Sequence, residues 1–189
     1  MRRLLPTSVA ALGLVLTACA PGTTGSPTPG STPPAPESTS TPTSPQRPRE
    51  IKLDGKDACQ LLSSDQLPAL RIDRPGKPRE SDLYQATGCS WTVTGAGNSL
   101  VPVTKEGIEV WTAGKREGRS AVIEPVLGFP AISVTLPTDE LRCDVMVDTS
   151  EGQYLTAGFD VTPSYRDKFP EPCDGARRLA EAAMQNLLK

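Results

Sequence analysis

From Ala20 to Glu50 the chain carries no aromatic side chain and no large aliphatic one, and consists almost wholly of Pro, Thr, Ser and Gly. A segment this poor in apolar surface cannot offset the conformational entropy lost on ordering, so residues 19–50 are read as a disordered tether. Folding is thereby confined to residues 51–189. Those 139 residues are enough for one domain with its own core and too few for two ordinary ones. The tether reaches about 30 Å as flexible coil and about 95 Å if its prolines hold it in extended polyproline form. Its Ser/Thr/Pro mix permits O-glycosylation.

Ahead of the tether, Arg2 and Arg3 precede a mostly apolar run from Leu4 to Leu16, and Leu16-Thr17-Ala18-Cys19 reads as a lipobox. The run is shorter than the roughly 20 residues of a spanning helix. Its charge, length and small-residue exit are those of a secretory signal peptide, assigned to residues 1–18. Cys19 is the expected lipidation site: its thiol takes a diacylglyceryl group, the leader is cut before it, and it becomes the first residue. The alternative is an ordinary cleaved signal followed by an incidental Cys. The expected location is the outer face of the cytoplasmic membrane, lipid-anchored and facing the cell wall.

The formal net charge is −2, and it becomes −4 once Arg2 and Arg3 are removed. No long run of one sign occurs in the domain. A mildly acidic domain without a basic stripe argues against nucleic acid as a partner. It argues equally against binding of anionic lipid through the domain surface. The membrane partner is then the N-terminal lipid, and the envelope ligand or protein partner is left open.

With Cys19 set aside, Cys59, Cys89, Cys143 and Cys173 remain. Four cysteines in an exported domain point to two disulfides, with three connectivities to choose among. No Cys-x-x-Cys spacing occurs and the chain has 0 His, so neither a redox motif nor a zinc site is supported. Local pattern suggests a pairing. Cys89 begins an alternating stretch with Trp91 and Val93 on its face, and Cys143 shares a face with Leu141, Val145 and Val147. Cys59 and Cys173 each lie beside a helix start. The simplest pairing joins strand to strand, Cys89–Cys143, and helix start to helix start, Cys59–Cys173.

Short helical turns are expected at about 57–62 and again from Ser63 or Ser64, where Ser63-Ser64-Asp65-Gln66 has the form of a capping box and Pro68 limits the turn. Residues 71–85 are charged and rich in Gly and Pro, hence a loop. Strands are expected at 89–94, 107–112, 131–136, 141–148 and 152–161, with turn chemistry at 95–98 and 148–152. Ala176, Leu179, Ala180, Ala183, Met184 and Leu187 recur at helical spacing opposite Arg177, Arg178, Glu181 and Gln185, and Asp174 suits the N-cap. The expected fold is α+β. An antiparallel sheet carries N-terminal helical turns and an amphipathic C-terminal helix packed on one face.

Cys59-Gln60-Leu61-Leu62, Cys89-Ser90-Trp91, Gly128-Phe129-Pro130-Ala131, Cys143-Asp144-Val145-Met146-Val147 and Pro172-Cys173 follow one another in order, with Ala176 and Leu179-Ala180 at the expected spacing beyond. The set resembles the actinobacterial cell-envelope lipoproteins grouped as domain of unknown function 3558, over nearly the whole domain. The resemblance implies a surface lipoprotein and brings no activity or functional residues with it.

The absence of His removes Ser-His-Asp and Cys-His machinery, and no serine has lysine three residues on. Gly95 and Gly97 lack the later Gly and helix start of a phosphate loop. No cofactor, metal or catalytic residue is assigned. Asp139, Glu140, Asp144 and Asp148 lie close in sequence and are read as solvated strand edges and turns. They also offer a glycosidase its paired carboxylates. Trp91 is expected to pack on a disulfide. Trp111 is the candidate exposed binding aromatic, because Ile108 and Val110 claim the other face of its strand. The expected function is a non-catalytic binding or accessory module; the alternative is an envelope hydrolase using acidic residues.

Overall fold

The computed structural model describes residues 46–189, so the leader, Cys19 and most of the tether lie outside the described residues. Seven strands form one sheet: β1 (Lys77–Ser81), β2 (Ala86–Val93), β3 (Ala96–Val103), β4 (Arg119–Val126), β5 (Phe129–Leu136), β6 (Asp139–Ser150) and β7 (Gln153–Val161). Their spatial order is β1-β2-β3-β7-β6-β5-β4, and every neighbouring pair is antiparallel. A helical turn α1 (Glu109–Thr112) precedes β4, a 3₁₀ turn covers Ala58–Gln60, and the long helix α2 (Pro172–Leu187) closes the chain. This is the α+β arrangement expected, with helices at both ends of an antiparallel sheet.

Alternation along the strands divides the sheet into two faces. Trp91 and Val93 of β2, Leu100 of β3, Val145 and Val147 of β6, and Leu155, Ala157 and Phe159 of β7 point to the helical side. There they meet Ala176, Leu179, Ala180, Ala183 and Met184 of α2, each 0% exposed. At Gly175 a side chain would collide with the Phe159 ring, so glycine lets the first turn of α2 lie directly on the sheet. The helix begins at Pro172 with Glu171 as N-cap. The Asp174 N-cap expected from sequence is corrected: proline at the first helical position has its φ already set and loses no needed N–H. Asp174 still sits in the first turn, where the helix dipole favours its charge.

Disulfides join Cys59 to Cys89 and Cys143 to Cys173. The expected pairing of Cys89 with Cys143 and Cys59 with Cys173 is therefore corrected. Cys89 and Cys143 do point to the same face, but β3 and β7 separate β2 from β6. Three strand spacings put them about 14 Å apart, about twice the reach of a disulfide. Each strand cysteine instead bonds upward to the helical element lying over it.

Three further expectations are corrected. Residues 107–112 are the helical turn α1 (Glu109–Thr112) with its lead-in and not a strand, because Gly107, Ile108 and Glu109 carbonyls accept from Val110, Trp111 and Ala113. Residues 71–85 contain the exposed edge strand β1. The turn expected at 95–98 shrinks to Thr94-Gly95, with Gly95 at φ +89°, and β3 starts at Ala96.

Candidate functional site

The sheet face away from α2 is apolar at one end and polar at the other. At the apolar end, Val101, Val103, Ile132, Val134, Met146 and Tyr154 lie under Tyr84 and Trp111. The Trp111 indole N–H donates to the Tyr154 hydroxyl at 2.9 Å, that hydroxyl donates to Glu106 Oε1 at 2.9 Å, and Arg116 closes the chain on Glu106 Oε2 at 2.6 Å. Burial pushes both the Tyr84 and the Tyr154 phenols above the usual range, so both stay neutral. Trp111 is 5% exposed, which overturns its reading as a surface aromatic. A helical turn aims it inward, whereas a strand of alternating residues would have aimed it out.

The polar end is a hollow of about 480 Å³. Its geometry follows from strand register. Ser90 of β2 lies beside Ser99 of β3, Ser99 beside Gly158 of β7, and Gly158 beside Asp144 of β6, forming one row across four strands. The adjacent row runs Thr92, Gly97, Asp160 and Arg142 in the same way. Glycine occupies three positions on this face, 88, 97 and 158; Gly88 and Gly97 line the hollow, and neighbouring atoms close over all three. A Cβ on Gly158 would lie 2.5 Å from both Asp144 Oδ1 and Ser99 Oγ, and 3.2 Å from Arg142 Nη2. Those three groups converge over a single glycine.

Arg142 and Asp144 stand two residues apart on β6, on one face, and form a two-contact ion pair of 3.0 and 3.3 Å. Burial raises the Asp144 carboxyl above its ordinary 3.8, with the Arg142 charge pulling against it and Asp160 adding to the rise. Tyr84 borders the hollow beside Thr156. The Thr156 hydroxyl, on a residue 2% exposed, has the Tyr84 phenol as its polar neighbour, without a hydrogen bond of normal geometry between them.

Of the four carboxylates noted in the sequence, only Asp144 faces the hollow. Asp139 and Glu140 are exposed at the β5–β6 turn. Asp148 is held by both oxygens on Arg47, at 2.8 and 2.7 Å. The four are not brought together as a catalytic pair, and Asp144 is not a solvated edge residue. Its neighbour in the hollow is Asp160, which sequence reasoning did not single out. The alternation Gly88-x-Ser90-x-Thr92 against Cys89, Trp91 and Val93 did carry a signal, but a polar strand face is ordinarily plain solvent surface. Among the described residues no group of three or more Cys, Asp or Glu is placed to hold a metal ion, and no helix is long and apolar enough to cross a membrane.

Fold and site together define a disulfide-stapled α+β domain with a polar, glycine-floored hollow on its open sheet face. The chain belongs to the family described as Protein of unknown function (DUF3558), whose model matches residues 14–186. No curated protein and no solved structure matches it.

Proposed function

We propose that this protein is a lipid-anchored cell-envelope protein whose folded domain is a non-catalytic binding or accessory module, with the open-face hollow as its ligand site. The hollow carries the reading: its volume falls in the roughly 300–1,000 Å³ range of small-molecule sites, and its polar groups converge from four strands. The leader and the Leu16-Thr17-Ala18-Cys19 sequence support anchoring outside the cytoplasmic membrane. Cys19→Ala is expected to abolish incorporation of labelled fatty acid and to release or misprocess the protein. Unchanged labelling of that variant refutes the anchor.

A second reading, a hydrolase, is favoured by one observation: Asp144 and Asp160 face the same hollow, and burial raises the Asp144 carboxyl. Against it, both Asp144 oxygens are engaged by Arg142, which leaves the carboxylate poorly placed to give or take a substrate proton. A screen against peptidoglycan and polysaccharide substrates separates the two. Turnover that disappears in Asp144→Asn or Asp160→Asn establishes the hydrolase. Binding without turnover is the expected result.

A further inference from the structure

We infer that the hollow takes a neutral saccharide, one sugar unit lying beside Gly97 with adjacent hydroxyls addressed by Ser99, Arg142 and Asp144. This assignment rests on the hollow being the ligand site and adds the chemistry of its occupant. The backbone is the first reason. Strands β3, β7 and β6 are interior, with ladder partners on both sides, so their N–H and C=O groups are already used. A peptide adding itself as a strand finds a free edge at the rim, along β1 and the end of β2 beyond it, and not over these three strands. Recognition falls to side chains, and those present are the ones that address hydroxyls. Asp144 accepts, the Arg142 guanidinium donates, and Ser99 does both. A pair of neighbouring sugar hydroxyls needs donors and acceptors side by side at this spacing.

Charge is the second reason. Arg79 and Arg142 face Glu80, Asp144 and Asp160 around the hollow, a formal sum of −1. The Arg142 charge is neutralised by Asp144, which takes its Nε and Nη2 and leaves other N–H donors of the guanidinium free for a hydroxyl. An anionic phosphate or sulfate group therefore meets net negative charge and no cluster of uncommitted cations among the described residues. The third reason is Thr156. A buried hydroxyl ordinarily has a hydrogen-bond partner, and this one, 98% buried at the hollow's lining, has the adjacent Tyr84 phenol as its neighbour but no bond of normal geometry to it. A ligand hydroxyl supplies it. The floor is consistent: a Cβ on Gly97 would lie 2.5 Å from Asp160 Oδ1, so a side chain there displaces the polar wall.

The test uses the full chain, purified in detergent and labelled with ¹⁵N. It is titrated separately with a β-1,4-linked N-acetylglucosamine tetramer, an α-1,4-linked glucose tetramer and an α-linked mannose tetramer, with tetra-alanine and inorganic phosphate as comparators. The amide signals of Gly88, Gly97 and Gly158 report occupancy. At least one sugar is expected to shift them saturably while the comparators do not, and Ser99→Ala and Thr156→Val are each expected to weaken that binding by about threefold to tenfold. Retention of the wild-type amide spectrum elsewhere shows that both variants fold. Silence from every sugar overturns the inference. Saturable shifts from tetra-alanine or phosphate alone overturn the saccharide class and leave the hollow as a ligand site. Silence from all five probes, together with turnover abolished in Asp144→Asn, overturns the binding reading as well.

Discussion

The buried ion pair on β6 has a pH signature. The Asp144 carboxyl is raised above 3.8 in the folded protein, chiefly by burial, so the native state holds a proton that the unfolded chain releases. Stability attributable to this group is highest below 3.8 and falls as pH rises through the folded value, after which the cost is constant. Thermal midpoints of wild type and Asp144→Asn between about pH 3 and pH 8 should therefore not run parallel. Wild type loses ground to the variant across the acidic range, and parallel curves refute the assignment. At the other end of the same face, Tyr154 accepts from Trp111 and donates to Glu106. Tyr154→Phe keeps the ring packed and leaves a buried indole N–H without its acceptor. A loss of about 1–3 kcal/mol is expected by chemical denaturation, and an unchanged denaturation midpoint refutes the network's contribution.

Each disulfide joins one strand to one helical element and closes a loop of sequence separation 30. In the chain-entropy model a loop of that length contributes roughly 3.5–4 kcal/mol. The loops 59–89 and 143–173 do not overlap, so Cys89→Ser and Cys143→Ser should each cost about 2–5 kcal/mol and nearly add when combined. Non-reducing peptide mapping should recover Cys59–Cys89 and Cys143–Cys173, and any Cys59–Cys173 peptide contradicts the fold. The choice of partners was not legible in the sequence because it depends on strand order. Periodicity placed Cys89 and Cys143 each on the apolar face of its own strand, yet it held no information on the two strands between them. The helix α2 was legible, since its apolar stripe repeats over sixteen residues. Strand β4 was not: its hairpin to β5 turns at Leu127-Gly128 with both φ positive, 50° and 87°, and Leu is the wrong residue to announce such a turn. Nor was β3, whose Ala96-Gly97-Asn98-Ser99 has turn composition and is held extended by pairing along both sides. The hollow went unseen partly for the same reason, because Gly97 in its lining sits in a stretch that on its own reads as a turn.

For the molecule as a whole, the question is where the tether ends and the domain begins. The composition changes at Ile51, but the folded domain already holds the chain before that point. Arg47 donates through Nη1 to both oxygens of Asp148, and Arg49 donates to the Leu188 carbonyl at 2.7 Å. Arg47 and Asp148 are partly buried, with side chains 26% and 17% exposed, so their pairing is less screened than a surface contact. A chain starting at residue 46 should match the stability of one carrying the whole tether, whereas a chain starting at residue 51 should lose about 1–3 kcal/mol, the usual range for hydrogen bonds to a charged group. Arg47→Ala in the longer chain should reproduce most of that loss, because the Arg49 bond it leaves in place is exposed, and this separates the ion pair from any effect of the new terminus. Burial already raises the Asp148 carboxyl above 3.8, with Arg47 opposing, and loss of Arg47 raises it further. The deficit is therefore greatest at neutral pH, where Asp148 is ionised and unpaired, and shrinks as pH falls through its folded value. Equal denaturation midpoints for the two truncations at neutral pH would place the boundary at residue 51 after all, and a deficit that persists undiminished at acid pH would assign it to something other than Arg47 and Asp148.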